Sequence, residues 1–122
     1  MIYVRKKNKG FGKNKQIEGY YENGQKAILI EDLATDGGTK VIFIKTMRNL
    51  GLKVSDIFVV FYYDIFNYNN TSLASMNIKI HSLCTWKNII NVISDNKLFI
   101  EKEINDLKIF LDNPEAWRKN NA

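Results

Sequence analysis

Ile28-Leu29-Ile30-Glu31-Asp32-Leu33-Ala34-Thr35-Asp36-Gly37-Gly38-Thr39-Lys40 is the stretch that decides the fold. Its opening residues continue an apolar run from Ala27 that does not alternate with polar ones, the pattern of a strand covered on both faces. The run stops at two adjacent acids, and residues 33–39 read as a short loop. The spacing beyond predicts a helix over residues 39–50 with Gly51 as its C-terminal stop, then a second buried strand over residues 54–62. Strand, helix and strand in that order form a βαβ unit, which implies parallel pairing with a right-handed crossover.

The same stretch carries the strongest chemical signal. Acids at the C-terminal end of a buried parallel strand stand where open α/β sheets bind ligands. Two glycines after them let backbone N–H groups turn inward, and the helix that follows adds its positive N-terminal end, so the turn suits a phosphate monoester. A nucleoside-triphosphate loop fits worse. Gly37-Gly38-Thr39-Lys40 lacks the earlier glycine of that motif and reverses its Lys-Thr order, and Gly10-Phe11-Gly12 lacks the third glycine of a dinucleotide fingerprint.

Upstream, residues 2–4 read as the end of a strand and residues 5–15 as a mobile basic loop. Runs over residues 16–21 and 25–30 flank Asn23-Gly24, which predicts a β-hairpin turning on that dipeptide. Downstream come a polar turn over residues 67–70, a helical turn over residues 72–76 and an alternating, half-exposed strand over residues 78–83. Thr85 is placed to cap a helix over residues 86–94 with Trp86, Ile89, Ile90 and Ile93 on one face, and a last helix spans residues 100–111 before Pro114. Trp86 and Trp117 read as core anchors of these helices, Cys84 as a packed small residue and His81 as a surface residue.

With 122 residues, 45% of them apolar and 25% charged, the chain has the balance of one folded domain. One cysteine excludes an internal disulfide and a cysteine-based zinc site, and it suits a reducing cytoplasm. No stretch approaches the ~20 apolar residues of a membrane span. The formal charge of +5 is local: residues 1–15 hold Arg5, Lys6, Lys7, Lys9, Lys13 and Lys15 and no acid, whereas the rest of the chain sets 12 basic residues against all 13 acidic ones.

The acidic pair and glycine turn resemble the phosphoribosyl-pyrophosphate motif of type I phosphoribosyltransferases. Residues 3–12 followed by Gln16-Ile17-Glu18-Gly19 are similar to the catalytic loop of the orotate phosphoribosyltransferase family. Phe61-Tyr62-Tyr63-Asp64-Ile65-Phe66, Thr85-Trp86 and the ending over residues 110–117 look like the bacterial form of that family. The resemblance implies an α/β phosphoribosyltransferase core, a mainly parallel sheet flanked by helices with a projecting basic β-hairpin loop, as a single partial domain over residues 1–122. Family members carry a comparable stretch before the position of Tyr3, so Met1 matches an internal position and the chain is expected to be the C-terminal half, with the N-terminal part missing.

By that resemblance the activity is transfer of the phosphoribosyl group of phosphoribosyl pyrophosphate to orotate, giving orotidine monophosphate and pyrophosphate in pyrimidine synthesis. Lys9, Asp32 and Glu31 take the catalytic positions. Arg5, Lys6 and Lys9 match basic positions that bind phosphoribosyl pyrophosphate, with Lys9 on a loop that closes over the pyrophosphate. Glu31 and Asp32 match the pair that binds the ribose hydroxyls. Leu33, Ala34, Thr35, Asp36, Gly37, Gly38 and Thr39 match the turn that holds the 5′-phosphate, and Thr35 also approaches orotate. Mg²⁺ is expected to be carried by the pyrophosphate without a direct protein cage. A cytoplasmic homodimer sharing the loop across subunits is expected, with no membrane partner. Two positions depart from the family: Phe11 stands where many members have His, and no arginine lies between Tyr62 and Asn70 to contact orotate. The alternative readings are a regulatory RNA- or DNA-binding relative using the basic loop, and an inactive fragment.

Overall fold

The computed structural model describes residues 1–5, 17–114, 116 and 117. A small antiparallel pair joins β1 (Tyr3–Val4) to β2 (Ile17–Glu18). Among the described residues the main sheet has three strands in the order β3 (Lys26–Ala34), β4 (Lys53–Tyr62) and β5 (Lys79–Thr85), all parallel. Helix α1 (Gly38–Asn49) connects β3 to β4. The connection from β4 to β5 holds a 3₁₀ turn (Tyr68–Asn70) and the short helix α2 (Ser72–Ser75), and α3 (Trp86–Asp95) and α4 (Glu101–Asp112) follow. No helix among the described residues is long and apolar enough to cross a membrane.

The core lies between α1 and one face of the sheet. Ile44 and Met47 of α1 meet Leu29, Ile57 and Val59, with Leu73 and Ile78 closing the end nearest α2. Strand periodicity explains the choice of face, since Leu29, Ile57 and Val59 occupy alternate positions that point the same way. Arg48, in the last turn of α1, fastens this layer: its guanidinium donates to the Val54 carbonyl at 2.6 and 3.1 Å and to the Met76 carbonyl at 3.1 Å.

The βαβ unit and its parallel pairing agree with the sequence reading, but four expectations do not hold. Residues 16–21 and 25–30 do not form a hairpin. Ile17 and Glu18 pair with Val4 and Tyr3 instead, so the chain returns across the basic segment rather than across Asn23-Gly24. The Asn23-Gly24 turn docks on the exit of α1: the Gly24 N–H donates to the Gly51 carbonyl at 2.8 Å, and Lys53 N–H to the Gln25 carbonyl at 2.8 Å. Gly51 sits at φ +83°, and a Cβ there would overlap Asn23 Oδ1. The turn thus launches β3 alongside β4 in the same direction.

Second, β3 does not stop at the acids. It runs on to Ala34, with Leu33 and Ala34 opposite Phe61 and Tyr62, because the backbone of residues 31–34 finds a partner strand whatever its side chains are. Third, β3 is not covered on both faces by the described residues: Ile28 and Ile30 are exposed. Trp117 is likewise exposed rather than a core anchor, packing edge-on against Phe110. Trp86 is half-buried and edge-on to Phe61 and Tyr63, which agrees with its anchoring role. The cap of α3 also agrees, with Asn88 Oδ1 accepting from the Thr85 N–H and hydroxyl.

Candidate phosphoribosyl site

The last residues of β3 and the first of α1 form one continuous surface at the C-terminal end of the sheet. Gly37 makes the corner. Its φ of +83° is a left-handed conformation that L side chains adopt at a cost, and a Cβ would overlap Cδ1 of the fully buried Leu73. The α1 N-terminus therefore starts against the α2 segment, with the Val41 N–H donating to the Gly37 carbonyl at 3.1 Å.

The donor cradle is already engaged by the chain. Asp36 Oδ1 accepts from the Gly38 N–H at 3.0 Å and from the Thr35 hydroxyl at 3.4 Å. A carboxylate oxygen thus occupies the position that the helix N-terminus favours for an anion. Thr35, Asp36, Gly38 and Thr39 are exposed. A groove of about 390 Å³ opens beside them, lined by Asp36, Gly38, Phe66, Asn67, Asn70 and Thr71. Ala34 is buried and its carbonyl accepts from Tyr63 N–H, so its methyl belongs to the core.

The two acids diverge. Successive strand residues face opposite sides, and Glu31 turns towards α1, where it forms an ion pair with Lys40 Nζ. Lys40 is the one charged residue among the buried described residues, at 9% exposure. Asp32 is exposed at the open end, and its Oδ1 accepts from the Leu33 N–H at 2.8 Å. Sequence reasoning placed both acids but missed the Lys40 partner. Its signal is a lysine in the first turn of a helix, where helix dipoles disfavour cations, nine positions after an acid.

Arg5 lies on the β1–β2 pair, apart from this turn. Its guanidinium meets Glu18 Oε1 at 2.8 and 2.9 Å and lies 5.0 Å from the Tyr3 ring centre. Lys6 and Lys9, and with them the expected loop over residues 5–15 beyond Arg5, lie outside the described residues. Among the described residues no cluster of three acidic, histidine or cysteine groups converges into a metal cage.

Away from the site, His81 Nε2 and Asp56 Oδ1 pair at 2.8 Å across β4 and β5, with Lys79 opposite Asp56 in register. A hydrogen bond from Ser55, then one from His81, holds the Asp56 carboxyl below the usual carboxylate range.

A parallel sheet in which an acidic strand end leads through a glycine corner into a helix N-terminus is the core of a type I phosphoribosyltransferase, and solved structures of that class share its shape. One chain of Leishmania donovani UMP synthase aligns with a TM-score of 0.65 over 78% of this chain and 21% of its own, at 24% identity, a likeness of fold alone. Orotate phosphoribosyltransferase from Aeropyrum pernix aligns with a TM-score of 0.63 at 28% identity, over 76% of this chain and 51% of its own.

The sequence relatives are more particular. The chain is 40% identical over 121 residues to orotate phosphoribosyltransferase of Roseobacter denitrificans, covering 99% of this chain and 54% of the relative. It is 44% identical over 117 residues to that of Agrobacterium fabrum, covering 96% and 50%. No family model matches the chain. By fold the chain is a type I phosphoribosyltransferase core; by sequence its relatives are orotate phosphoribosyltransferases, and it spans about half their length.

Proposed function

We propose that the chain is the C-terminal part of an orotate phosphoribosyltransferase and supplies most of the phosphoribosyl-pyrophosphate site. The observation that carries this reading is the continuous surface from Asp32 through Gly37 to the start of α1, at the open end of a parallel strand. The reaction breaks the bond between the ribose carbon and the pyrophosphate oxygen, whose electron pair leaves with pyrophosphate, and forms a bond from the orotate ring nitrogen to that carbon as the nitrogen gives up its proton to water. Positive character on the sugar and negative charge on the leaving group set what the protein must stabilise.

In this scheme Asp32 accepts hydrogen bonds from the ribose hydroxyls, and Glu31 completes the acidic pair from a position held by Lys40. Residues 33–39 receive the 5′-phosphate. The phosphate displaces Asp36 from the Gly38 N–H and joins the Thr35 and Thr39 hydroxyls, and Thr35 borders orotate. Arg5, Lys6 and Lys9 bring cations to the pyrophosphate, with Lys9 acting on closure of the loop, reaching a partner subunit in a homodimer. The exposed Asp32 carboxylate suits a magnesium ion that keeps waters and substrate phosphates as its main ligands. Neutralising pyrophosphate charge is the chemistry a bound Mg²⁺ supplies. A cytoplasmic setting belongs to this reading, and a single cysteine suits a reducing compartment.

The isolated chain is expected to bind phosphoribosyl pyrophosphate weakly and to turn over little. The test is orotidine monophosphate formation after the chain is joined to the remaining half of a relative. Turnover that Asp32→Asn and Lys9→Ala each abolish supports the assignment, and turnover indifferent to both refutes it. Salt-sensitive binding of mixed RNA without affinity for phosphoribosyl pyrophosphate would favour the nucleic-acid reading.

A further inference from the structure

We propose that Lys40 is a positioning residue of this site: it holds the Glu31 carboxylate on the α1 side of β3 and cancels its charge, so that the turn over residues 33–39 stays open to a phosphate dianion. The inference deepens the proposed function and rests on it. Three acids, Glu31, Asp32 and Asp36, crowd this stretch, and Lys40 is the one cation among residues 27–44. Without it, the stretch that seats an anion would carry three uncompensated negative charges.

Both members of the pair stand on rigid elements. Glu31 lies on β3 opposite Val59 of the central strand, and Lys40 lies in the first turn of α1, which the core packs against that strand. Glu31 Oε2 is shielded from solvent and has no hydrogen-bond partner among the described residues, so the Lys40 ammonium is the group that compensates it. A lysine at this place faces the positive end of its own helix, which disfavours a cation. Its stem is nonetheless buried. Stability does not account for such a placement, since apolar residues of similar volume often replace a buried ion pair without loss. A role in the site does. Once released, the Glu31 carboxylate would be drawn to the N–H groups at the start of α1. Asp36 already accepts from the Gly38 N–H there at 3.0 Å. A second internal carboxylate would compete with phosphate for the same donors.

The probe is inorganic phosphate, titrated into the ¹⁵N-labelled full chain well below the melting temperature of each variant and followed at the amides of residues 35–39. Lys40→Met is expected to bind severalfold more weakly than the parent. The double variant with Glu31→Gln removes both charges and is expected to return close to the parent affinity, because no lone carboxylate remains. Glu31→Gln alone leaves the ammonium free beside the turn and is expected to bind severalfold more tightly; it keeps the test decisive should Lys40→Met not fold. A pair that serves stability alone would shift the melting midpoints and leave the affinities equal, which overturns the proposal. Weak binding in both Lys40→Met and the double variant also overturns it, since Lys40 would then touch the phosphate itself. A parent chain whose turn does not answer to phosphate sinks the functional reading, whereas a responsive turn with equal affinities throughout sinks this inference alone.

Discussion

Replacing Lys40 by Met removes the ammonium that faces Glu31 while keeping most of the apolar stem. The two side chains are 11% and 21% exposed, so the pair is largely but not wholly withdrawn from water. Breaking a fully buried pair costs about 3–5 kcal/mol, chiefly because one charge is left without a partner. Partial solvent access to Glu31 brings the expected loss to about 2–4 kcal/mol. For a chain of this length each kcal/mol moves the thermal midpoint by roughly 3–6 °C, so Lys40→Met is expected to melt roughly 10 °C lower. Urea unfolding with an unchanged slope would measure the free energy. The double variant with Glu31→Gln leaves no lone charge and should recover about 1–3 kcal/mol relative to the sum of the singles. A Lys40→Met protein within about 0.5 kcal/mol of the parent, with additive singles, would refute the reasoning and leave Glu31 a solvated acid equivalent to Asp32.

Asp32→Asn changes an exposed carboxylate and is expected to alter stability by no more than about 0.5 kcal/mol, while removing binding of phosphoribosyl pyrophosphate measured by calorimetry in the fused protein. Gly37→Ala meets both a positive φ and Leu73; the backbone cost is about 1–2 kcal/mol and the overpacking about 1–3 kcal/mol, read by urea unfolding. Asp36→Ala frees the Gly38 N–H and is expected to raise inorganic phosphate affinity in titrations. The Asp56 carboxyl is held below its usual value, so its contribution to stability is full above the unfolded pKa near ~3.9 and is lost as pH falls through the lower folded value. The stability gap between the parent and Asp56→Asn, followed by urea midpoints, should therefore be present at neutral pH and close in acid.

The βαβ unit was legible because its signals are local: a short apolar run, helical spacing ended by Gly51, and a second apolar run. The acidic and glycine positions of the site were legible for the same reason. Asn23-Gly24 misled because a dipeptide that accepts positive φ specifies a turn, not which strands flank it. Pairing was decided by long-range hydrogen bonds from Gly24 to Gly51 and from Lys53 to Gln25. The apolar run in β3 signalled a strand, but the burial on both faces that it implied is not met by the described residues, which leave Ile28 and Ile30 exposed. The divergence of Glu31 and Asp32 follows from β3 extending to Ala34, and Lys40 as the partner of Glu31 follows from the crossover that lays α1 on that face. Neither is visible without the fold.

The central claim is that residues 32–39 form the seat of a ribose 5-phosphate group. Backbone amide shifts of the ¹⁵N-labelled chain, followed as phosphoribosyl pyrophosphate is added to millimolar concentration, test it most directly. The account predicts saturable shifts centred on the amides of residues 33–39, suppressed in Asp32→Asn. Shifts confined to the basic segment, or none at this turn, would contradict it.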